Sequence, residues 1–376
     1  MGKKLIDLVD HFEMWRLRSF FSGEKRGGVL LVSSGGIGDT MLFRLIIERF
    51  KSLLNEDEKM HLVIRNECRH TIFLYPKNIE IHTIDYSRFQ KKLSYRRDVC
   101  RHINSLNLRV AVSTDHLRHP LIDDVIIRAS HAPKKLAFYP RRWPKYDSLL
   151  VRNTKQYNPL VRVSKKMEHR LIRWWHLANN ISGERKPVPR VTLPKAVLPP
   201  PAHLERDLFV IHPFSAIKER QYSVEIFQSI IEIFPEDCDI AVSCVAEDLD
   251  DNPEFKILFT DNRVYADTSS LEKKASCLQS ARLVVSIDTS IMHLATLCGA
   301  PTICLASSAH VVDSIPYDDR MMPDNVCFLY HDMNCRMCLG QCSLPLEDDR
   351  YACISRMDTK EILEKITISL NASVSC

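Results

Sequence analysis

The sequence lacks the features that would carry the chain across a membrane or into a secretion pathway. No uninterrupted run of about 18 apolar residues is present, which is the length that a membrane-spanning helix needs, so we expect no transmembrane span. Asp7 and Asp10 interrupt the amino-terminal segment, which has neither the apolar core nor the small-residue cleavage site of a signal peptide. We therefore expect the protein to act in the cytoplasm.

A strong charge of either sign is also missing. The formal net charge is +5 over 376 residues, which does not by itself indicate a nucleic-acid ligand. The sequence contains no short repeat and no low-complexity tract. Hydrophobic residues make up 45% and charged residues 26%, as is typical of soluble globular proteins. This length favours two domains over one.

Strand-like and helix-like segments alternate along two parts of the chain. In the first part, "HLVIR" and "LRVAVSTD" favour strands, and "RRDVCRHINSL" favours a helix. The alternation restarts after residue 206, with strands expected at "DLFVIHPF" and "DIAVSCVAE". This pattern predicts an α/β protein with parallel sheets covered by helices on both faces.

The predicted domain boundaries depend on a proline-rich segment. Six prolines between Pro187 and Pro201 indicate a stiff, extended connection. The predicted parts are a first domain at 1–190, a linker at 191–206, a second domain at 207–330 and a cysteine-rich carboxyl-terminal segment at 331–376. Ligands of such sheets bind beyond the carboxyl ends of the strands, so the expected site is the cleft between the domains.

The amino-terminal segment has apolar residues at helical spacing, with Lys3, Lys4, Arg16 and Arg18 around them. A basic amphipathic helix can lie on an anionic membrane surface, which would give a peripheral contact with the inner membrane. The alternative is a helix packed on the protein core. Several acids within the segment weaken its positive face and favour this alternative.

A glycine-rich turn in "SSGGIGDTML" separates the first predicted strand from a helix. Gly35, Gly36 and Gly38 allow a tight turn and a close approach of ligand to backbone. The segment is neither the Gly-x-Gly-x-x-Gly dinucleotide fingerprint nor a phosphate-binding loop with Gly-Lys-Ser/Thr. Its unusual residue is Asp39, for which capping of the helix is the simplest explanation.

A second polar group interrupts the apolar run "VVSIDTSIMHLATLCGAPTICLA". Asp288 follows a predicted strand, and Thr289 or Ser290 is placed to cap the next helix. Free amides at that helix start favour an anionic group such as a diphosphate. Gly299 is expected to end the helix. Capping does not account for the presence of both Asp288 and His293. For His293, the alternative to a functional role is a partly buried histidine on the packing side of the helix.

At these two segments the sequence resembles glycosyltransferase family 9, the heptosyltransferase-like enzymes of lipopolysaccharide assembly. The family's Gly-Asp-x-Leu corresponds to Gly38-Asp39-Thr40-Met41-Leu42, with one extra residue before the leucine. Its Asp-Thr-Gly-x-x-His-Leu-Ala followed by Gly-x-Pro corresponds to residues 288–295 and 299–301. The resemblance implies a GT-B fold, in which two Rossmann-like domains with parallel sheets face each other across a cleft.

The resemblance also implies roles for individual residues. Asp39 would be the general base of an inverting transfer, and Arg220 takes the place of a family lysine near the diphosphate, with Lys218 as a nearby substitute. Asp288 and His293 would hold hydroxyls of the donor sugar. Eight residues are assigned to donor binding: Ser215, Lys218, Arg220, Glu247, Asp288, Thr289, Ser290 and His293.

Two departures from the family pattern lie near the expected donor site. Ser290 replaces the glycine of the second motif, and "ASSAH" stands where the family has Phe-Gly-Pro-Thr. The resemblance points to ADP-heptose as the donor, and these departures leave the identity of the donor sugar open. The predicted reaction class, sugar transfer, depends less on these two departures.

Thirteen cysteines are many for a cytoplasmic protein, and an odd number cannot be fully paired. Four of them lie within a short span and would offer four thiolates, which suits tetrahedral zinc or iron. These are Cys335, Cys338, Cys342 and Cys353. The resemblance supports a metal here, since relatives that glycosylate autotransporters bind iron in this segment. Four protein ligands would close the site, so the ion would be structural, and no cofactor is expected for the chemistry. The alternative is free thiols in a packed loop.

The sequence therefore predicts an inverting glycosyltransferase that moves a heptose or similar sugar from an ADP-sugar to a hydroxyl of a glycan or protein. A nucleotide-sugar epimerase of the same architecture and a non-catalytic scaffold are the alternatives. A nucleic-acid-binding metal finger is not favoured, because Arg336 and Arg350 are outweighed by three neighbouring acids, Glu347, Asp348 and Asp349.

Overall fold

A computed structural model describes residues 26–163 and 168–371 of the chain. The predicted basic amphipathic helix at the amino terminus lies outside these residues. The chain divides into two compact units, one comprising residues 1–166 and 171–187 and the other residues 167–170 and 188–376. We call them the first and second units.

The first unit is built on a six-stranded sheet with the order β3-β2-β1-β4-β5-β6. All neighbouring strands in it are parallel. The central strand β1 is buried along its whole length, as expected of an apolar strand covered on both faces. The strands are β1 (Val29–Val32), β2 (Met60–Arg65), β3 (Ile79–Ile84), β4 (Val110–Ser113), β5 (Lys134–Phe138) and β6 (Leu160–Val161).

Helices connect these strands. Their apolar side chains pack on the sheet, and one such cluster joins Leu30 and Val32 of β1 to Ile103, Val125 and Ile126. The helices are α1 (Ile37–Ile47), α2 (Tyr86–Lys91), α3 (Leu93–Ser105), α4 (Asp123–Ala129), α5 (Asp147–Asn153) and α6 (Arg170–Ser182). Single-turn and longer 3₁₀ segments lie at Glu48–Leu53, Asn66–Leu74 and Thr154–Gln156.

The second unit repeats this architecture with the order β12-β11-β10-β7-β8-β9, again with parallel neighbours. Its strands are β7 (Asp207–His212), β8 (Cys238–Ser243), β9 (Val264–Asp267), β10 (Leu283–Ile287), β11 (Thr302–Leu305) and β12 (Val326–Leu329). Its helices are α7 (Val224–Glu232), α8 (Ala246–Asp251), α9 (Leu271–Ser280), α10 (Ser290–Cys298), α11 (Ala352–Ser355) and α12 (Thr359–Asn371). A small antiparallel hairpin pairs β13 (Leu346–Glu347) with β14 (Arg350–Tyr351).

Each sheet has the Rossmann strand order, in which the chain reverses direction across the sheet at the two central strands. Those strands are β1 and β4 in the first unit, and β7 and β10 in the second. Ligands of open parallel sheets bind beyond the carboxyl ends of the strands at this switch point. The glycine turn follows β1 and Asp288 follows β10, so both predicted motifs occupy the switch point of their own unit.

The proline-rich segment that the sequence predicted as a stiff linker at 191–206 is held on the second unit. Its backbone is hydrogen-bonded into the second unit, from Val191 N to Met321 O and from Leu193 N to Leu297 O, both at 2.9 Å. Val191 is fully buried, and Leu193 and Leu198 are nearly so. The apolar residues between the prolines therefore hold this segment against the second unit, because their burial removes apolar surface from water.

The carboxyl-terminal segment at 331–376 is likewise part of the second unit in its described residues, not a separate body. Ile362 and Ile366 of α12 are fully buried in the same core as Phe209 and Ile211 of β7. The sequence also left β5, β6, β9 and β12 without a prediction. For β6 the shortness explains this, since two residues are too few for a periodic pattern to be recognised.

Candidate functional site

Asp39 lies in the first turn of α1, and the preceding loop fixes its carboxylate. Its Oδ2 accepts a hydrogen bond from the Gly36 backbone N–H at 2.9 Å, which satisfies an amide at the helix start. A Cβ placed on Gly35 would lie 2.4 Å from the Asp39 Cβ, so this approach requires glycine. The capping role that the sequence left open is present. Gly38 lies inside α1, not in the turn where the sequence placed it.

Two further acids lie beside this loop, Asp115 shortly after β4 and Asp123 at the start of α4. Asp115 Oδ2 accepts hydrogen bonds from Ser34 N at 2.6 Å and Ser34 Oγ at 2.9 Å. Ser34 Oγ also lies 3.1 Å from Asp123 Oδ2, and the His119 N–H donates to that oxygen at 2.5 Å. A single serine that follows β1 therefore joins two carboxylates of the segment that follows β4.

The surroundings of Asp123 favour its protonated form. Burial, followed by repulsion from Asp115, raises the pKa of Asp123 to about 8. The sequence prediction did not include these acids. A signal was available, since Asp115 follows shortly after β4 as Asp288 follows β10.

The helix that carries Asp123 is anchored by its neighbour Asp124. Asp124 forms a fully buried ion pair with Arg118, whose Nε lies 2.8 Å from Asp124 Oδ1. Tyr157 Oη and Asn153 Nδ2 donate to the two Asp124 oxygens at 2.5 and 2.9 Å. Because its partners satisfy both oxygens, this buried charge holds the start of α4 in a defined position.

In the second unit, Asp288 and Arg220 form a nearly buried ion pair. Arg220 Nη2 donates to Asp288 Oδ2 at 2.6 Å and to the Asp288 carbonyl oxygen at 3.0 Å. Ser307 Oγ donates to the same carboxylate oxygen at 3.0 Å. Asp288 Oδ1 and Arg220 Nε are buried without a hydrogen-bond partner among the described residues. Such atoms in a native structure call for an explanation, and a ligand site is one.

The start of α10 lies directly beside this pair. Thr289 occupies the N-cap position in an extended conformation, but its side chain makes no capping hydrogen bond, and Ser290 is the first helical residue. The amides of the first turn therefore receive no side-chain cap and retain their preference for an anion. Gly299 ends the helix with a left-handed φ of 80°, as the sequence predicted.

His293 is buried within the second unit, as its alternative explanation required. Its Nδ1 lies 2.7 Å from Tyr317 Oη, and the two rings are in contact. Tyr317 is fully buried. This environment accounts for the histidine as a packed, hydrogen-bonded residue, and contact with a donor sugar stays a prediction.

The other predicted donor residues are more dispersed. Ser215 forms a local turn in which its Oγ accepts from Ile217 N at 3.2 Å. Lys218 is exposed and lines a cavity of about 450 Å³ with Asp348, Asp349 and Arg350 of the hairpin. The strand expected to end at Glu247 ends at Ser243 instead, and Glu247 is exposed in the first turn of α8. A turn intervenes because Val245 N is capped by Asp248 at 2.8 Å.

His212 ends β7 and supports the same end of the sheet. Its Nδ1 contacts the Ser243 carbonyl oxygen at 2.5 Å, and burial lowers the pKa of His212 to about 4. The neutral ring therefore donates its Nδ1 hydrogen to that carbonyl. Lys274 of α9 is also buried and lies 3.3 Å from Asp267 Oδ2. These contacts tie β7, β8 and β9 together where the donor is expected.

The cysteine-rich loop is docked on the "ASSAH" segment. Met337 N donates to Ser308 O at 3.1 Å, and Leu339 N donates to Ala309 O at 3.0 Å. Met337, Leu339 and Gly340 have left-handed φ angles of 69°, 53° and 80°. The segment that departs from the family pattern thus serves as the anchor for this loop.

The four predicted metal ligands approach one another without forming a compact site. Burial and the charges of Cys335, Cys338 and Cys342 raise the pKa of Cys353. In residues 26–163 and 168–371, a group with all ligand atoms within 4.8 Å of one another is formed by His61, Glu80 and His82, and the cysteines form no such group. The donor set suits zinc or iron, but closing a tetrahedron of thiolates requires the loop to contract.

Within the described residues, the longest apolar helices fall short of what is needed to cross a bilayer.

Two units with Rossmann strand order, each with polar residues at its switch point, define the GT-B class of α/β proteins. Residues 158–343 match the model of glycosyltransferase family 9 (heptosyltransferase). The chain belongs to this family and is a glycosyltransferase.

Solved structures agree on the fold. The ADP-heptose lps heptosyltransferase II of E. coli aligns with a TM-score of 0.63 at 11% identity, over 92% of this chain and 100% of that chain. E. coli heptosyltransferase WaaC with ADP aligns with a TM-score of 0.65 at 16% identity, over 92% of this chain and 99% of that chain. The iron-containing dodecameric glycosyltransferase TibC from enterotoxigenic E. coli H10407 aligns at 0.50 and 11% identity, over 94% and 79%. Comparison with curated protein sequences gives no match.

Proposed function

We propose that the protein transfers a heptose or similar sugar from an ADP-sugar to a hydroxyl of a glycan or protein, with inversion at the anomeric carbon. The acceptor oxygen forms the new bond to that carbon as the bond to the diphosphate breaks. The acceptor proton passes to a carboxylate, and ADP leaves. Family membership supports sugar transfer, and the similarity in fold to an ADP-heptose heptosyltransferase supports the ADP-heptose donor.

The observation that carries the donor assignment is the incomplete hydrogen bonding of the Arg220–Asp288 pair. Asp288 holds Arg220 through Nη2, and none of the hydrogen bonds among the described residues uses Nη1. A diphosphate could accept from this side of the guanidinium and from the uncapped amides of α10. Both groups would stabilise the charge that develops on the leaving ADP.

Asp39 is proposed as the base. The Gly36 N–H fixes one carboxylate oxygen beside a loop that requires glycine at position 35. A fixed carboxylate that needs no reorganisation is suited to accept a proton in the transition state. The contribution of such a base is about 100-fold or more in rate.

The test is Asp39→Asn, measured by single-turnover transfer from ADP-heptose together with donor affinity by calorimetry. The amide oxygen of asparagine can still accept from Gly36 N–H, so the loop should be preserved. We expect the rate to fall by about 100-fold or more while ADP-sugar affinity changes by only a few-fold.

Asp123→Asn is the comparison variant, because it changes a carboxylate in the same unit. An unchanged rate for Asp39→Asn, with the loss appearing in Asp123→Asn, would transfer the role of base to the Asp115–Asp123 pair. Donor consumed without acceptor would favour the epimerase alternative. The absence of ADP-sugar binding to the wild type would favour the scaffold.

A further inference from the structure

Three histidines and a glutamate form a cluster in the first unit, at the end of the sheet opposite the glycine turn. His61 is the second residue of β2 and Glu80 the second residue of β3, and the parallel register places them side by side. His82 lies two residues further along β3 on the same face. His102 is in the last turn of α3. His61 and Glu80 are near the amino ends of their strands, whereas Asp39 and Asp115 follow carboxyl ends.

The ligand atoms of this cluster have the spacing of a metal site. His61 Nδ1 lies 3.1 Å from His82 Nε2 and 3.3 Å from Glu80 Oε2. All three atoms lie within 4.8 Å of one another. Tetrahedral zinc with bonds of about 2.0–2.1 Å separates its ligand atoms by about 3.3 Å. We propose that His61, Glu80 and His82 bind a divalent transition-metal ion of the zinc type, at a site separate from sugar transfer.

Hydrogen bonding alone accounts poorly for the convergence on His61. An ionised Glu80 can only accept, so His61 Nδ1 would have to carry the hydrogen and donate it to Glu80. The same nitrogen could not then accept from His82 Nε2–H. Satisfying both contacts would require the single hydrogen on His61 Nδ1 to be shared between His82 Nε2 and Glu80 Oε2. A single cation would satisfy the lone pairs of all three atoms at once. Imidazole and carboxylate ligands suit zinc and its neighbours in the transition series.

The residues around the cluster act as a supporting layer. His82 Nδ1 lies 3.0 Å from His102 Nε2, so His82 can donate its remaining hydrogen to His102 while Nε2 binds the ion. Lys59 Nζ lies 2.6 Å from Glu80 Oε1 and leaves Oε2 for the metal. Lys59 is largely exposed, so solvent weakens its repulsion of a bound cation. His61 is buried, and Glu80 is 42% exposed, so the ion can enter from the Glu80 side and keep one position for water.

The experiment is zinc binding to the full-length protein after treatment with a chelator, followed by calorimetry and by the midpoint of thermal unfolding. We expect His82→Ala and Glu80→Gln each to lose one equivalent of zinc relative to the wild type. Zinc should raise the unfolding temperature of the wild type but not of these variants, because the ion joins β2 to β3. Glu80→Gln changes few atoms, so it separates lost binding from lost folding.

Thiols elsewhere in the chain can also bind zinc, and two controls separate them. Cobalt(II) at the histidine site should give visible bands without the near-ultraviolet charge transfer that thiolates produce, and Cys338→Ser should keep those bands. His70→Ala replaces an exposed histidine of the same unit and should behave as the wild type. His102→Ala should weaken binding by about 10- to 100-fold, as expected for a supporting partner.

The proposal is overturned if His82→Ala and Glu80→Gln bind as many equivalents as the wild type with the same affinity. It is also overturned if zinc fails to change the unfolding temperature of the wild type. Transfer activity need not change in any of these variants, so the outcome is independent of the proposed function.

Discussion

At the scale of single residues, the Arg220–Asp288 pair is the most informative feature. Asp288 was predicted to hold sugar hydroxyls, but in the structure its Oδ2 receives Arg220 and Ser307. This gives Asp288 a positioning role toward Arg220. Asp288 is nearly buried, with a side-chain exposure of 4%, so removing its partner leaves an uncompensated charge.

Arg220 variants should therefore change both catalysis and stability. Arg220→Ala should lower the turnover rate more than it weakens donor binding, because the contact strengthens as charge develops on the leaving ADP. It should also destabilise the fold by about 3–5 kcal/mol. Compared with Arg220→Ala, Arg220→Lys should recover part of the turnover rate and part of the stability. Lysine keeps the positive charge but lacks the guanidinium that can donate two parallel hydrogen bonds. Single-turnover kinetics and urea unfolding measure the two effects.

Lys218→Ala is the matched control for this series, because Lys218 is an exposed cation of the same 3₁₀ turn. If Arg220→Ala keeps the wild-type rate and Lys218→Ala loses it, the diphosphate contact belongs to Lys218.

Asp123 makes stability depend on pH in a defined direction. Its pKa in the folded protein is raised to about 8, against about 3.9 in an unfolded chain. Between these values the unfolded state releases the proton and the folded state keeps it. This contribution to stability is therefore complete below about pH 4 and is lost as pH rises toward about 8, by at most about 1.4 kcal/mol per pH unit.

Asp123→Asn should remove this dependence, because the amide is neutral throughout. Unfolding free energies measured by urea from pH 5 to pH 9 should fall less with rising pH in Asp123→Asn than in the wild type. Asp57→Asn changes an exposed acid that asparagine can replace at its left-handed φ of 68°. If Asp57→Asn and Asp123→Asn give the same pH profile, the proton is not held at Asp123.

At the scale of structural elements, the cysteine-rich loop and its hairpin form one assembly on the second unit. Asp348 and Asp349 both have left-handed φ angles, 49° and 59°, as a two-residue type I′ hairpin turn requires. Tyr351 Oη of the hairpin donates to Gly340 O of the loop at 3.1 Å. The loop is thus fixed at both sides, which places its thiols near one another before any ion binds.

Elemental analysis tests whether this loop binds a metal. Protein purified without added metal should contain about one zinc or iron ion more than Cys338→Ser does, if four thiolates close the site. Cys298→Ser is the control, because Cys298 is a free thiol of α10 outside the loop. Equal metal contents in wild type, Cys338→Ser and Cys298→Ser would leave the loop as a packed segment of free thiols.

At the scale of the whole molecule, two units repeat one architecture and carry different chemical groups. The first unit presents carboxylates beside its glycine turn, and the second presents a cation and a helix start. An inverting transfer needs a base for the acceptor and positive groups for the leaving diphosphate. In the proposed transfer, the first unit would supply the base and the second unit the groups that stabilise the leaving diphosphate.

The sequence by itself determined the class of fold and the ends of several elements. Apolar runs alternating with helical periodicity specify parallel α/β units, because each buried strand needs helices on both faces. The positions of Asp288 at the end of β10 and of Gly299 at the end of α10 could also be predicted from the sequence, since both depend on local chain geometry. The two family motifs are local as well.

Only the tertiary structure decided which distant residues meet. Ser34 and Asp115 are 81 positions apart, and His61 and His82 are 21 apart. Strand order and register bring each pair together, and neither can be read from one segment. The same holds for the prolines at 191–206, which resemble a linker locally but are held by apolar neighbours against the second unit. Contacts of this kind form because folding buries surface across the whole chain, and no local pattern encodes their partners.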